Sequence, residues 1–271
     1  MLKQRIITAL WLAPLALFGF FALQGPAFLA FVCVIIALAG WEWARLAGFE
    51  RQVQRIAYAV GVAVVLLLAN SAPALLMPVL YLAGIWWLLA TVMVMTFPAS
   101  AALWGGALGK LLIGLLILLP AGLGLQVLKT APQGNMLILS VLLLVWGADI
   151  GAYFFGRAFG KRKLAPLVSP GKSWAGLFGG LFTSICIAAA LAVYLQVSAA
   201  HFVPVLLCAA IVVLFSVVGD LTESMFKRQA GIKDSSQLLP GHGGVLDRID
   251  SLTAAVPVFA LLLLLSGWSL S

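Results

Sequence analysis

Residues 217–228 read Val-Val-Gly-Asp-Leu-Thr-Glu-Ser-Met-Phe-Lys-Arg, at the end of a long apolar run. Asp220, Glu223, Ser224 and Lys227 sit at i, i+3, i+4 and i+7, so on a helix they form one stripe. Two carboxylates, a hydroxyl and an ammonium on one face of an apolar helix must look toward something polar. A helix emerging among lipid headgroups would explain the Glu223–Lys227 pair, but Asp220 lies too far inside the run for that. An ionisable group within a membrane segment costs roughly 2.5–3.5 kcal/mol, so each one asks for a partner or a role.

A second cluster follows in residues 239–250, Leu-Pro-Gly-His-Gly-Gly-Val-Leu-Asp-Arg-Ile-Asp. Pro240, Gly241, Gly243 and Gly244 predict a tight turn whose backbone N–H groups can converge on an anion. Asp247 and Asp250 fall in the first turn of the helix expected after it, where the helix dipole favours acids in any case. Asp247, Arg248 and Asp250 directly after His-Gly-Gly go further than that. Carboxylates, phosphate-cradling backbone and basic side chains together fit a magnesium–nucleotide site, because magnesium prefers a few carboxylates plus substrate phosphates. His242 has several open readings: phosphate binding, headgroup positioning, acid–base work or an inert turn.

The third element is Asp149 with Tyr153 on one helix face, followed by Arg157, Lys161, Arg162 and Lys163. That basic run could equally anchor the chain at a membrane surface. Residues 169–173, Ser-Pro-Gly-Lys-Ser, end like a P-loop, but the required first glycine is Pro166 and no strand is expected before it. Lys172 and Ser173 at a helix N-terminus can still bind phosphate. Glu42, between Trp41 and Trp43, is expected to pair with Arg45 at the membrane interface.

The elements that must hold these groups are membrane helices. Of 271 residues 64% are hydrophobic and 9% charged, with mean hydropathy +1.16. A soluble domain of this length carries roughly a quarter charged residues. Backbone inside lipid must pair within its own segment, and no short alternating segments of a barrel occur, so the fold class is all-α. At about 20 apolar residues per span, the chain reads as a polytopic integral membrane protein of about nine helices. They fall near 6–23, 27–47, 57–70, 74–96, 106–128, 135–156, 174–197, 203–226 and 252–270.

With the N-terminus cytoplasmic, the external connections 24–26, 70–73, 129–135 and 198–202 hold one basic residue, Lys129. The other fifteen of sixteen lysines and arginines then lie at cytoplasmic ends or loops, as the positive-inside rule requires. The net charge of +8 is therefore topogenic, and no basic surface domain exists to hold nucleic acid. Cys33, Cys186 and Cys208 lie in apolar runs without CxxC spacing, which indicates neither a disulfide framework nor a zinc site. Six of the eight acids lie between 149 and 250. Residues 1–140 accordingly read as transmembrane scaffold, and 141–271 as the catalytic region, with polar cytoplasmic loops 157–173 and 227–251.

The run 224–250 resembles the phosphatidate cytidylyltransferases (CDP-diacylglycerol synthases). Their pattern is S-x-apolar-K-R, K-D, a small residue, then P-x-H-G-G-apolar-x-D-R-apolar-D. Here the matching residues are Ser224, Lys227-Arg228, Lys233-Asp234, Ser236 and Pro240 through Asp250, every constrained position over 27 residues. Asp149, Tyr153, Gly156 and the 169–173 segment also look like that family. Many relatives carry lysine and glutamate where this chain has Gly171 and Ala175.

The resemblance implies the reaction CTP + phosphatidate → CDP-diacylglycerol + pyrophosphate, with magnesium, at the cytoplasmic face of the cell membrane. It suggests Asp220 and Asp247 as metal ligands with Glu223, Ser224 and Asp250 nearby, admits a second, monovalent cation (K+), and implies a homodimer. Lys227 and His242 join the two aspartates as expected catalytic groups. Lys172, Ser173, Arg228, Lys233, Gly243, Gly244, Arg248, Asp149 and Tyr153 are the expected substrate contacts. The expected chemistry is in-line attack of the lipid phosphate on the α-phosphorus of CTP, with cations relieving the repulsion between two polyanions. Rival readings are a CTP-dependent lipid kinase, which would release no pyrophosphate, and a cation-coupled transporter using the same acids. The D-G-x-x-A-R motif of the CDP-alcohol phosphotransferases is absent.

Overall fold

The structure, a computed structural model, describes residues 2–267. The chain forms α1 (Leu2–Leu17, prolonged by a π-helical turn Phe18–Ala22), α2 (Gly25–Leu46), α3 (Gln52–Asn70), α4 (Leu76–Met95) and a short α5 (Ala101–Trp104). Then follow α6 (Ala107–Thr130), α7 (Gly134–Phe159), strands β1 (Lys163–Ala165) and β2 (Ser169–Ser173), α8 (Trp174–Tyr194), α9 (Ala199–Gln229) and α10 (Leu246–Ser266). Among the described residues nine helices are long and apolar enough to cross a membrane, so the protein is an all-α polytopic membrane protein as expected.

The expected helix boundaries shift where charge is answered within the protein. The third span begins at Gln52, not 57, and so takes in Arg55. Arg55 is admitted because its Nε donates to the Trp41 carbonyl at 3.1 Å and its guanidinium lies 3.6 Å over the Trp41 ring. The last helix starts at Leu246, six residues before the apolar span expected at 252, and takes in Asp247 and Asp250 as the glycine turn before it predicted. The end of that expected span, 268–270, lies outside the described residues.

At about 1.5 Å per residue, the 31 residues of α9 span about 46 Å, well beyond a hydrocarbon core of about 30 Å. That excess lets the polar end of α9, with Lys227 and Arg228, extend past the apolar stretch. α10 is the central helix, packed on α2, α4, α6, α7 and α9. Its buried Ala254, Ala255, Val256 and Ala260 meet a core that includes Ile36, Leu118, Ile138 and Trp87. Small residues let helix backbones approach in a membrane protein. Gly219 shows why: a Cβ there would stand 2.6 Å from the Asp250 carbonyl, so α9 and α10 close up beside the acidic residues.

One end of the bundle collects the charge. Thr8 Oγ1 on α1 donates to the Pro240 carbonyl at 2.7 Å, which puts the start of α1 at the same end as the 230–245 loop. At the opposite end Lys129 Nζ donates to the Phe20 carbonyl (2.7 Å) and to Asn135 Oδ1 (2.6 Å), closing the turn between α6 and α7 onto α1. Residues 163–173, expected to be loop, form a two-stranded antiparallel hairpin pairing Lys163 with Ser173 and Ala165 with Ser169.

Candidate active site

The predicted stripe on α9 exists, and its partners are now visible. Ser224 Oγ donates to Asp220 Oδ1 at 3.3 Å. Lys227 Nζ lies between two carboxylates, 3.2 Å from Glu223 Oε1 and 2.8 Å from Asp247 Oδ1 of α10. Glu223 is 3% exposed, and neither of its carboxylate oxygens accepts a hydrogen bond. Asp250, whose Oδ1 accepts from the Ser251 amide at 2.7 Å, lies within Coulombic range of Glu223, Asp220 and Lys227. The helix spacing therefore brings α9 and α10 acids together around a single ammonium.

The hairpin delivers a second ammonium. Lys172, on β2, places Nζ 2.6 Å from Asp220 Oδ2, with about a quarter of each side chain exposed. Lys172, Asp149 and Tyr153 line a cavity of about 230 Å³ between α7, α8 and α9, whose other walls include Leu177, Gly180, Val213 and Val217. Its polar end carries the charges and its inner walls are apolar. Asp149 lies within Coulombic range of Asp220, Lys172 and Arg248. The Tyr153 hydroxyl accepts from Arg157 Nη1 at 3.2 Å. Ser173, expected to bind phosphate, is 4% exposed and caps α8 instead, its Oγ accepting from the Gly176 amide at 3.1 Å. Serine in that position satisfies one of the helix's orphan N–H groups.

The glycine turn also differs from expectation. Gly241 and Gly243 adopt φ of +76° and +83°, a region that favours glycine, and the turn closes by Leu239 N–H to the Gly243 carbonyl at 2.8 Å. The Gly244 amide, expected to face a substrate phosphate, donates to the protein's own Asp247 Oδ2 at 2.7 Å. Asp247 also accepts from the Ser235 amide (3.0 Å) and from Ser235 Oγ (2.9 Å). With Lys227 on Oδ1 its acceptor capacity is largely taken, so Asp247 latches the loop. A ligand role for it requires Lys227 to release Oδ1.

His242 stands apart from this network: it is half-buried, and its Nδ1 is buried without a hydrogen-bond partner. Arg228 ties the hairpin to α9 through Nε to the Val168 carbonyl at 3.1 Å, leaving the rest of its guanidinium exposed. Lys233 and Arg248 are exposed and make no ion pair among the described residues.

Sequence reasoning missed the part played by Glu42. It forms no ion pair with Arg45; it is fully buried and reaches the loop from α2. Its Oε1 accepts from Ser236 Oγ (2.5 Å) and the Val245 amide (3.0 Å), its Oε2 from the Leu246 amide (2.6 Å) and Ser235 Oγ (3.3 Å). Arg45 Nη1 donates to the Ser235 carbonyl at 3.1 Å. The available signal was a carboxylate inside an apolar run, which demands partners. The sequence did not say that they lie some 200 residues away.

Among the described residues no three His, Cys, Asp or Glu side chains form a ready metal cage. The side chains suit an ion that arrives with phosphate ligands: the Glu223 oxygens accept no hydrogen bond and face only the Lys227 ammonium, and Asp220 and Asp250 lie within Coulombic range of the cluster.

These features define a polytopic membrane protein with a mixed acid–ammonium cluster at one end of its bundle, beside a cavity with apolar walls. The chain belongs to the cytidylyltransferase family, whose sequence model it matches over residues 3–266. It is 61% identical to a phosphatidate cytidylyltransferase of Pseudomonas aeruginosa, over 99% of both chains. A phosphatidate cytidylyltransferase of Haemophilus influenzae is 43% identical over 96% of this chain and 98% of its own length. One from Staphylococcus saprophyticus is 42% identical over 53% of this chain and 55% of its own.

Proposed function

We propose that the protein is a phosphatidate cytidylyltransferase, working as a homodimer in the cell membrane with its N-terminus and active site toward the cytoplasm. Near-full-length identity of 61% to a relative of that name supports the reaction. The observation that carries the site is the pair of ammonium–carboxylate contacts, Lys172–Asp220 and Lys227–Glu223/Asp247, at the ends of apolar helices. A lipid phosphate presented at the bilayer surface and a nucleotide arriving from water would meet there.

In this reading an oxygen of the phosphatidate phosphate attacks the α-phosphorus of CTP. The new P–O bond forms as the bond to the β-phosphate oxygen breaks, and pyrophosphate leaves with that electron pair. The nucleophile is already anionic, so no strong base is needed. Lys172 turns from Asp220 toward substrate phosphate, while exposed Arg228, Lys233 and Arg248 steady the triphosphate. Asp149 and Tyr153 border the cavity through which the lipid head enters. Asp220, Glu223 and Asp250, with the Ser224 hydroxyl, would hold magnesium, and a second, monovalent cation such as K+ would share the cluster. When bound, magnesium would neutralise phosphate charge and stabilise the departing pyrophosphate.

Purified protein incubated with labelled CTP, phosphatidate and magnesium should yield CDP-diacylglycerol and pyrophosphate in equal amounts. Release of CDP with a phosphorylated lipid would establish a kinase instead. No turnover by folded, lipid-supplied protein would overturn the proposal.

A further inference from the structure

Glu42 lies on α2, far from the 224–250 signature, yet among the described residues no carboxylate side chain is less exposed. An isolated buried carboxylate is costly, and one kept in place must have its acceptors filled. Here the Ser236 hydroxyl and the amides of Val245 and Leu246, at the start of α10, fill them, with the Ser235 hydroxyl within reach at 3.3 Å. The first-turn amides of a helix are natural anion donors, so Glu42 serves as a cap for α10 supplied from another helix.

The link continues to the reacting cluster. Ser235 Oγ has one proton and two carboxylates in reach, Asp247 Oδ2 at 2.9 Å and Glu42 Oε2 at 3.3 Å. The Ser235 backbone is fixed from both sides, its amide on Asp247 and its carbonyl on Arg45. Gly244 completes the fit, since any Cβ there would overlap Ser235 Oγ and the Glu42 carboxylate. Asp247 in turn holds Lys227, which also faces Glu223. A chain of contacts thus runs Glu42, Ser235, Asp247, Lys227.

We infer that Glu42 is a positioning residue for the reaction: through Ser235 and the first turn of α10 it sets the orientation of Asp247, and hence of Lys227. The inference rests on the proposed reaction and adds a contribution from the N-terminal helices to it. Removing a group that orients a functional side chain lowers activity on the scale known for partners of metal-ligating side chains, roughly 10- to 100-fold. The loss belongs in kcat, because Glu42 is fully buried and bonded to the protein's own donors, whereas a general loosening of the fold would lower the amount of active enzyme.

The test measures kcat, KM for CTP and for phosphatidate, and the active fraction, for wild type, Glu42→Gln, Glu42→Asp, Ser235→Ala and, as a surface-charge control, Glu50→Gln. Product from wild type is the precondition; its absence would count against the proposed reaction and not against this inference. Expected are a kcat lowered roughly 10- to 100-fold in Glu42→Gln and in Ser235→Ala, little change in either KM, partial recovery in Glu42→Asp, and a normal control. Ser235→Ala keeps the Glu42 bonds to Val245 and Leu246, so it reads the link to Asp247 even if Glu42→Gln folds poorly. Wild-type kcat in Ser235→Ala, or losses in all variants that only follow the active fraction, would overturn the inference.

Discussion

Replacing Asp247 by asparagine should open the 230–245 loop as well as slow the reaction, and the structure gives the size of the effect. The carboxylate accepts Lys227 on one oxygen and the Ser235 hydroxyl and Gly244 amide on the other, with the Ser235 amide close to both. An asparagine has one acceptor oxygen. Facing that oxygen toward Ser235 and Gly244 sets its NH2 group against the Lys227 ammonium; the opposite rotamer leaves the loop donors unpaired. The first choice costs less. It removes a charge-assisted hydrogen bond, about 1.5–3 kcal/mol, and breaks half of an ion pair whose side chains are 12% and 6% exposed. Breaking a fully buried pair costs about 3–5 kcal/mol, but Lys227 keeps Glu223 at 3.2 Å, which returns part of that.

The Ser235 amide, the Ser235 hydroxyl and the Gly244 amide then bond a neutral oxygen, each losing about 1 kcal/mol of charge assistance, so the loop itself loses about 3 kcal/mol, or about a hundredfold in its opening equilibrium at 1.4 kcal/mol per decade. Hydrogen exchange reads this directly, since local opening sets amide protection. The Ser235 and Gly244 amides should exchange about a hundredfold faster in Asp247→Asn, while amides of the buried α6 segment around Leu118 keep their wild-type rates. Turnover should fall by at least as much. Unchanged exchange at Ser235 and Gly244 would refute the latch, and near-normal turnover would remove Asp247 from the site.

Lys172→Met should lower turnover roughly 100-fold or more, the scale of losing a charge that stabilises a transition state. Its partly exposed pair with Asp220 contributes only about 1 kcal/mol or less to stability; wild-type turnover would confine Lys172 to holding the hairpin. Gly244→Ala should cost about 1–3 kcal/mol by overpacking against Ser235 and Glu42, read as a lower unfolding temperature, and an unshifted one would show that the contact gives way. EDTA should abolish turnover and excess magnesium restore it; persistence in EDTA would remove the divalent ion. Cysteines introduced singly at exposed Lys161 and Lys233 should react with an impermeant reagent in inverted vesicles and not in intact cells, and the reverse pattern would turn the topology over.

The sequence made the α9 stripe legible because its information is local. Residues four apart on a helix must be neighbours, and Ser224 duly touches Asp220, as Lys227 faces Glu223. The number of spans was legible for the same reason, since hydropathy integrates over a window. That window also misplaced the start of α10. Leu246 to Ser251 include two aspartates and an arginine, so they fall outside the apolar window, although the glycine turn before them already marked a helix start there and Glu42 caps it. The hairpin was hidden because two short polar strands, on a register interrupted between Lys163 and Ala165, carry no alternating pattern. Ser173 was read for a ligand where a serine before a helix already had a use, as its cap.

Glu42 shows where local reading stops. A carboxylate within an apolar run announces that something must answer it, and the nearest arginine three residues on was the obvious respondent. Helix geometry does place Arg45 near, but an ion pair still leaves carboxylate acceptors to fill in a buried setting, whereas hydroxyls and helix amides can fill all of them. The protein uses the second solution and turns Arg45 to the Ser235 carbonyl instead. Both residues of α2 thereby grip one loop that begins nearly 190 residues later. The division of the chain at residue 140 follows composition, while the 230–245 loop is held by α2 from across it. A substitution in α2 that leaves hydropathy unchanged, such as Ala39 to leucine beside the enclosed Glu42 helix face, should therefore be read for its effect on the loop as well as on packing.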